Sequence, residues 1–75
     1  MAETQAARVL TYAVTAALRM HLATTLAATI DNQAEYAGAL RTMQATARGL
    51  RDAGIVADAA TFVSDVLADV KGMMQ

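Results

Sequence analysis

Residues 51–62 are RDAGIVADAATF, and this segment contains the clearest helix boundary in the chain. Gly54 follows a run of helix-forming residues that ends at Ala53, and a glycine in the left-handed conformation commonly ends a helix at such a point. Four residues later, Asp58 has the side-chain oxygen that an N-cap residue needs. The segment therefore predicts that one helix ends at about residue 53 and another begins at about residue 58.

The segment that follows, residues 58–74, has the pattern of an amphipathic helix. Apolar residues recur at the three- and four-residue spacing that places them on one side of a helix. These residues are Ala59, Phe62, Val63, Val66, Leu67, Val70, Met73 and Met74. Polar residues such as Thr61 and Lys71 occupy the other side. This pattern predicts a third helix that packs its apolar side against the rest of the chain.

A second boundary is predicted upstream, near Asp31 and Asn32. Asn32 followed by Glu35 resembles a capping box, although asparagine is not its usual first residue. The apolar spacing also changes its register at this point, which favours a turn over one continuous helix, the alternative that remains open. The predicted helices therefore span about residues 4–30, 32–53 and 58–74.

The faces of the first two helices predict how they pair. A row of mostly small residues on helix one faces a row of larger residues on helix two, which would let the two helices approach closely. The first row is Val9, Ala13, Ala16, Met20, Ala23, Ala27 and Ile30, and the second is Tyr36, Leu40, Met43, Ala47 and Leu50. We expect an all-α fold in a single domain of residues 1–75, a helical hairpin plus a third amphipathic helix that together form a small three-helix bundle.

The composition limits how stable such a bundle is on its own. The chain has 75 residues, of which 56% are hydrophobic, but alanine alone supplies 19 of them. A domain of this size buries only about 60% of its unfolded surface. Cysteine is absent and there is one histidine, so neither a disulfide nor a structural metal site of the usual kinds is expected. Oligomerisation is therefore expected to complete the fold.

Two rows of opposite charge are predicted to meet between helices two and three. Arg41, Arg48 and Arg51 lie within about 80° of one another on helix two, since each residue advances a helix by about 100°. On helix three, the matching acidic row is Asp58, Asp65 and Asp69. In an antiparallel arrangement these residues predict a ladder of inter-helix ion pairs. The alternatives are that the arginine row binds an acidic protein or, less favoured, nucleic acid.

A second apolar face remains on helix one after helix two is accounted for. It is predicted to bind a partner or a second copy of the chain, and comprises Leu10, Val14, Leu18, Leu22, Thr25 and Thr29, with His21 at its edge. The simpler alternative is that helix three covers this face within one chain. For His21, a packed or rim histidine is favoured over a pH-sensitive interface, an alternative that arises because histidine is the side chain that titrates near neutrality.

No pattern of catalytic residues, phosphate-binding loop or metal ligands occurs in the sequence, so we expect a protein that is not an enzyme, needs no cofactor and binds no small-molecule substrate. A net charge of −1 disfavours nucleic acid as a partner. The longest uncharged stretches, residues 9–18 and 20–30, are shorter than the roughly 20 residues of a membrane span, and a cytoplasmic location is expected.

The sequence therefore predicts a small helical protein–protein interaction module, of the adaptor, inhibitor or co-chaperone type, that forms a dimer. Two alternatives remain. One is a structural subunit that assembles into a ring or filament, and the other is a small regulator associated with nucleic acid.

Overall fold

A computed structural model describes residues 2–75, and the side chains from Gln5 onward. It contains three helices, α1 (Ala2–Ala28), α2 (Gln33–Asp52) and α3 (Ala59–Met73), and no strand within residues 2–75. Each boundary lies within two residues of the one that the sequence predicts. The three helices pack together, which confirms the predicted all-α three-helix bundle.

The turn between α1 and α2 is held by local hydrogen bonds. Asn32 has an extended backbone, and its side-chain Oδ1 accepts a hydrogen bond from the Glu35 backbone N–H at 3.1 Å. The Asn32 carbonyl accepts the Tyr36 N–H at 2.8 Å, which starts the hydrogen-bonding pattern of α2. Asn32 therefore caps α2 as predicted, and the alternative of one continuous helix is wrong.

The turn between α2 and α3 begins with a Schellman motif at Gly54. Gly54 has a φ of 75°, its N–H donates to the Arg51 carbonyl at 2.9 Å, and the Ile55 N–H donates to the Leu50 carbonyl at 2.9 Å. At the start of α3, Asp58 accepts the Thr61 N–H at 2.9 Å. Both predicted caps are confirmed.

The core lies where all three helices meet. Its buried side chains come from the C-terminal half of α1, the middle of α2 and one side of α3. They are Leu22, Ala23, Leu26, Met43, Ala47, Phe62, Val66 and Val70. Short turns join α1 to α2 and α2 to α3. The result is an elongated molecule of 47 × 25 × 15 Å.

The buried face of α1 differs from the one predicted, whereas the predicted row of α2, from Tyr36 to Leu50, packs in the core. α1 packs mainly against α3 and least against α2, and the small-residue row of α1 does not form the seam of a hairpin. Ala23 is buried at the C-terminal end of that row, but Met20 is 56% exposed and Ala13 is also exposed. Leucines bury more apolar area than alanines, so α1 directs Leu22 and Leu26 into the core instead.

Candidate protein-interaction surface

The N-terminal half of α1 extends beyond the rest of the bundle. With 27 residues α1 is about 40 Å long, whereas the 15 residues of α3 span about 22 Å. Thr15 lines an open depression together with Val56 and Asp58, which lie immediately before α3. All the side chains from Gln5 to Val14 are exposed, so this half of α1 projects from the bundle.

This projecting half exposes large apolar side chains. Tyr12 is 78% exposed and Leu10 is 65% exposed, and Val9 and Val14 are also exposed by more than half. Single exposed apolar residues are ordinary, but here Leu10 and Val14 share one side of the helix and Tyr12 lies about 160° around it, so the projecting half is apolar on more than one side. The projecting half of α1 is therefore the part of the described chain with the strongest signal for binding.

The predicted apolar face of helix one is divided between surface and core. Its leucines and valine recur every four residues, and each such step turns about 40° around the helix axis because the helix has 3.6 residues per turn. From Leu10 to Leu22 the row therefore turns by about 120°. Leu10 and Val14 face solvent, Leu18 is half-buried, and Leu22 is 8% exposed within the core. Leu22 is thus a core residue and cannot serve as an interaction residue.

The remaining residues of the predicted face also differ from one another in exposure. His21 and Thr25 are exposed, and Thr29 is half-buried in the turn after α1. The hydroxyl of Thr25 donates to the His21 carbonyl at 2.9 Å, and that of Thr29 donates to the Leu26 carbonyl at 3.0 Å. These threonines satisfy their hydroxyls within the helix, so an apolar neighbour can cover them without leaving a donor unpaired.

A straighter exposed row runs along the whole of α1 on the side away from the core. It repeats at alternating steps of three and four residues, the spacing of the a and d positions of a coiled coil. We call it the outward face, and it consists of Ala7, Leu10, Val14, Ala17, His21, Thr24 and Ala28, all exposed. The heptad spacing in the sequence is the signal that could have identified it. The four-residue row of leucines obscured that signal.

Arg19 holds α1 and α3 together at the edge of the core. Its guanidinium donates two hydrogen bonds to the Asp69 carboxylate, of which the Nη2–Oδ1 bond is 2.9 Å, and its Nη1 lies 3.8 Å from Asp65 Oδ2. The hydrogen bond from Arg19 holds the pKa of Asp69 below its ordinary value, and Asp69 in turn raises the pKa of Arg19. This bidentate pair favours one fixed alignment of the two helices.

The predicted ladder between α2 and α3 is not the arrangement in the structure, because Asp65 and Asp69 face Arg19 of α1. Asp58 caps α3 instead, and hydrogen bonds from the Thr61 hydroxyl and backbone N–H lower the pKa of its carboxyl group.

Arg48 and Arg51 line an open depression together with Asp58, and Arg51 contributes to the lowered pKa of Asp58, but neither arginine forms an ion pair with it. Arg51 pairs with the adjacent Asp52 at 2.9 Å, and Arg41 and Arg48 are exposed and form no ion pair with any described residue. Arg19 was missed as a partner because the close contact of α1 with α3 is a property of the tertiary fold.

The described side chains do not assemble a site of the catalytic kind. Every buried side chain from Gln5 onward is apolar, and no three histidine, aspartate or glutamate side chains in that range are grouped closely enough to hold a metal ion. None of the three helices, as far as they are described, has the length and apolar character needed to cross a membrane.

Comparisons with family models, with curated proteins and with solved structures found no match to this chain.

Proposed function

We propose that this chain is a non-catalytic protein–protein interaction module that forms a dimer through the outward face of α1. One observation carries this proposal. The chain exposes 5227 Å² of surface, whereas a compact monomer of its 7.8 kDa mass exposes roughly 4,400 Å². The excess of about 800 Å² equals one partner's share of a standard-size protein interface.

The small core gives a second reason for association. Among the side chains from Gln5 onward eight are buried, two of them alanines, and they supply little hydrophobic stabilisation. A partner that binds only the folded chain adds to the stability by mass action. Pairing through α1 would cover Leu10 and Val14, the largest apolar side chains of the outward face.

The chemistry of the described side chains supports binding over catalysis. General acids and bases in enzymes commonly have pKa values shifted by burial in a cleft. The two carboxyl groups with lowered pKa values here, Asp58 and Asp69, owe the shifts to a helix cap and to an ion pair. Both groups have structural tasks in the bundle, which fits a module that presents a surface.

A second candidate function is a structural subunit that assembles into a ring or filament. The observation in its favour is a second set of exposed apolar side chains outside the outward face, including Met20 on α1 and Met73 and Met74 at the end of α3. A chain with two separate interfaces can grow beyond a dimer. The exposed Arg41 and Arg48 favour the third candidate, a regulator associated with nucleic acid.

Light scattering across a range of protein concentrations tests the proposal. We expect a mass that rises to that of a dimer and stops there, and a Val14→Glu variant that stays monomeric because the charge would be buried in the interface. Ala45→Glu, at an exposed position on α2, is the matched control and is expected to dimerise normally. Growth beyond a dimer would favour the structural subunit, and a monomer at every concentration would refute both.

A further inference from the structure

We infer that the outward face of α1 pairs with the same face of a second copy in antiparallel orientation, so that each projecting N-terminal half lies along the partner's bundled half. This inference rests on the proposed dimer and specifies how it is built. The outward face runs along α1 and all seven of its side chains are exposed, so it offers a second helix of the same length a continuous surface.

The spacing of the outward face suits a second copy. Ala7, Val14, His21 and Ala28 occupy one heptad position, and Leu10, Ala17 and Thr24 occupy the other, which are the a and d positions of a coiled coil. The face contains no Asp, Glu, Lys or Arg. Like charges therefore do not oppose each other when two identical faces meet.

Antiparallel pairing matches large side chains with smaller ones. Overlapping residues 3–28 of α1 with the same residues of its mate places Leu10 opposite His21 and Val14 opposite Ala17. Ala7 then faces Thr24, and the two-fold axis repeats each pairing. The two larger apolar side chains, Leu10 and Val14, lie on the projecting half, and in this register neither packs against its own copy.

Parallel pairing would use the same face less well. It would place His21 against His21 and leave the two projecting halves in contact only with each other. Antiparallel helices also place the positive end of each helix dipole near the negative end of the other. α2 and α3 pack on the opposite side of α1, through Leu22 and Leu26, and do not obstruct the second copy.

Disulfide crosslinking tests the orientation, since the natural chain has no cysteine. Two single variants are needed, Ala7→Cys and Thr24→Cys, both at exposed positions. A disulfide needs Cβ atoms about 3.5–4.5 Å apart, so we expect a mixture of the two variants to crosslink roughly tenfold faster than either variant alone. In the antiparallel dimer the two copies of position 7 are separated by roughly 26 Å along the helix axis.

The outcomes separate this inference from the proposed function. A disulfide between positions 7 and 24, identified by peptide mass spectrometry, supports the antiparallel pairing, and Ala45→Cys on α2 is the control expected not to crosslink. Rapid crosslinking of Ala7→Cys with itself, or no crosslink in any sample that light scattering shows to be dimeric, would overturn the pairing and leave the dimer intact. A monomer by light scattering would overturn both.

Discussion

Arg19 of α1 and Asp69 of α3, fifty residues apart in the chain, are joined by two hydrogen bonds that link the first helix to the last. The pair lies between α1 and α3, the two helices that pack most extensively, and each partner is one helical turn from a core residue, Leu22 on α1 and Val66 on α3. A bidentate pair fixes the rotation of both helices as well as their separation. It therefore helps to decide which side of α1 is buried and which side is left for a partner.

Replacing Arg19 by Ala is expected to lower the free energy of unfolding by about 1 kcal/mol, a value kept small because the Arg19 side chain is 40% exposed. Arg41→Ala, which removes an exposed arginine without an ion pair to any described residue, should change it far less. Urea unfolding of both variants, and of Asp69→Asn alone and combined with Arg19→Ala, measures the coupling. If the losses of stability caused by Arg19→Ala and by Asp69→Asn simply add in the double variant, the pair contributes nothing.

Acidification is expected to weaken the fold through Asp69. Its pKa in the folded chain is lowered by Arg19, so the stabilisation is complete above the unfolded pKa of about 3.9 and is lost as the pH falls through the lower folded value. Urea unfolding between pH 6 and pH 2 should show a smaller loss of stability for Asp69→Asn than for the natural chain. Arg19→Ala should show the same reduced loss. An unchanged acid dependence in both variants would contradict the role of the pair.

Gly54 is expected to tolerate a side chain poorly. Its φ of 75° is strained for any residue with a Cβ, so Gly54→Ala should destabilise the fold by about 1 kcal/mol although no atom lies within 4 Å of the added methyl group. Gly49→Ala is the matched control within α2, where the added methyl group also meets open space, and it should stabilise by up to about 1 kcal/mol. The temperature of thermal unfolding should therefore fall for Gly54→Ala and rise for Gly49→Ala.

The turning of the leucine row around α1 predicts two different outcomes for two leucines of one row. Leu22→Ala is expected to cost roughly 2 to 3 kcal/mol of stability because it leaves a cavity in the core. Leu10→Ala should lower the free energy of unfolding by less than about 0.5 kcal/mol because Leu10 is exposed. The comparison with the natural chain is made at a protein concentration low enough to keep both monomeric. Equal losses for the two variants would mean that the row does not turn from the surface into the core.

The helix boundaries could be predicted because local chemistry determines them. The caps at Asn32 and Asp58 bond to backbone groups three residues away, and Gly54 ends α2 through its own backbone conformation. Contacts between residues this close in the chain can be predicted from a short segment of the sequence. All three boundary signals therefore lie where the helices begin and end.

The helix faces could be predicted only in part, because they depend on contacts between distant segments. The sides of α2 and α3 that carry Met43 and Phe62 were identified, since each of these helices has one clear apolar side. α1 has apolar residues on several sides. Which side is buried depends on the contact with α3, where Leu22 and Leu26 enter the core and Arg19 pairs with Asp69. The outward face became recognisable once α3 had occupied the opposite side.

The mass of the chain in solution tests the proposed dimer most directly. Sedimentation equilibrium from about 1 to about 100 µM, a range that brackets micromolar dissociation constants, should show the natural chain rising from 7.8 kDa towards twice that mass. A Leu10→Glu variant should remain at 7.8 kDa throughout the same range. A natural chain that stays at 7.8 kDa at every concentration would contradict the proposal that α1 is an interaction surface between copies.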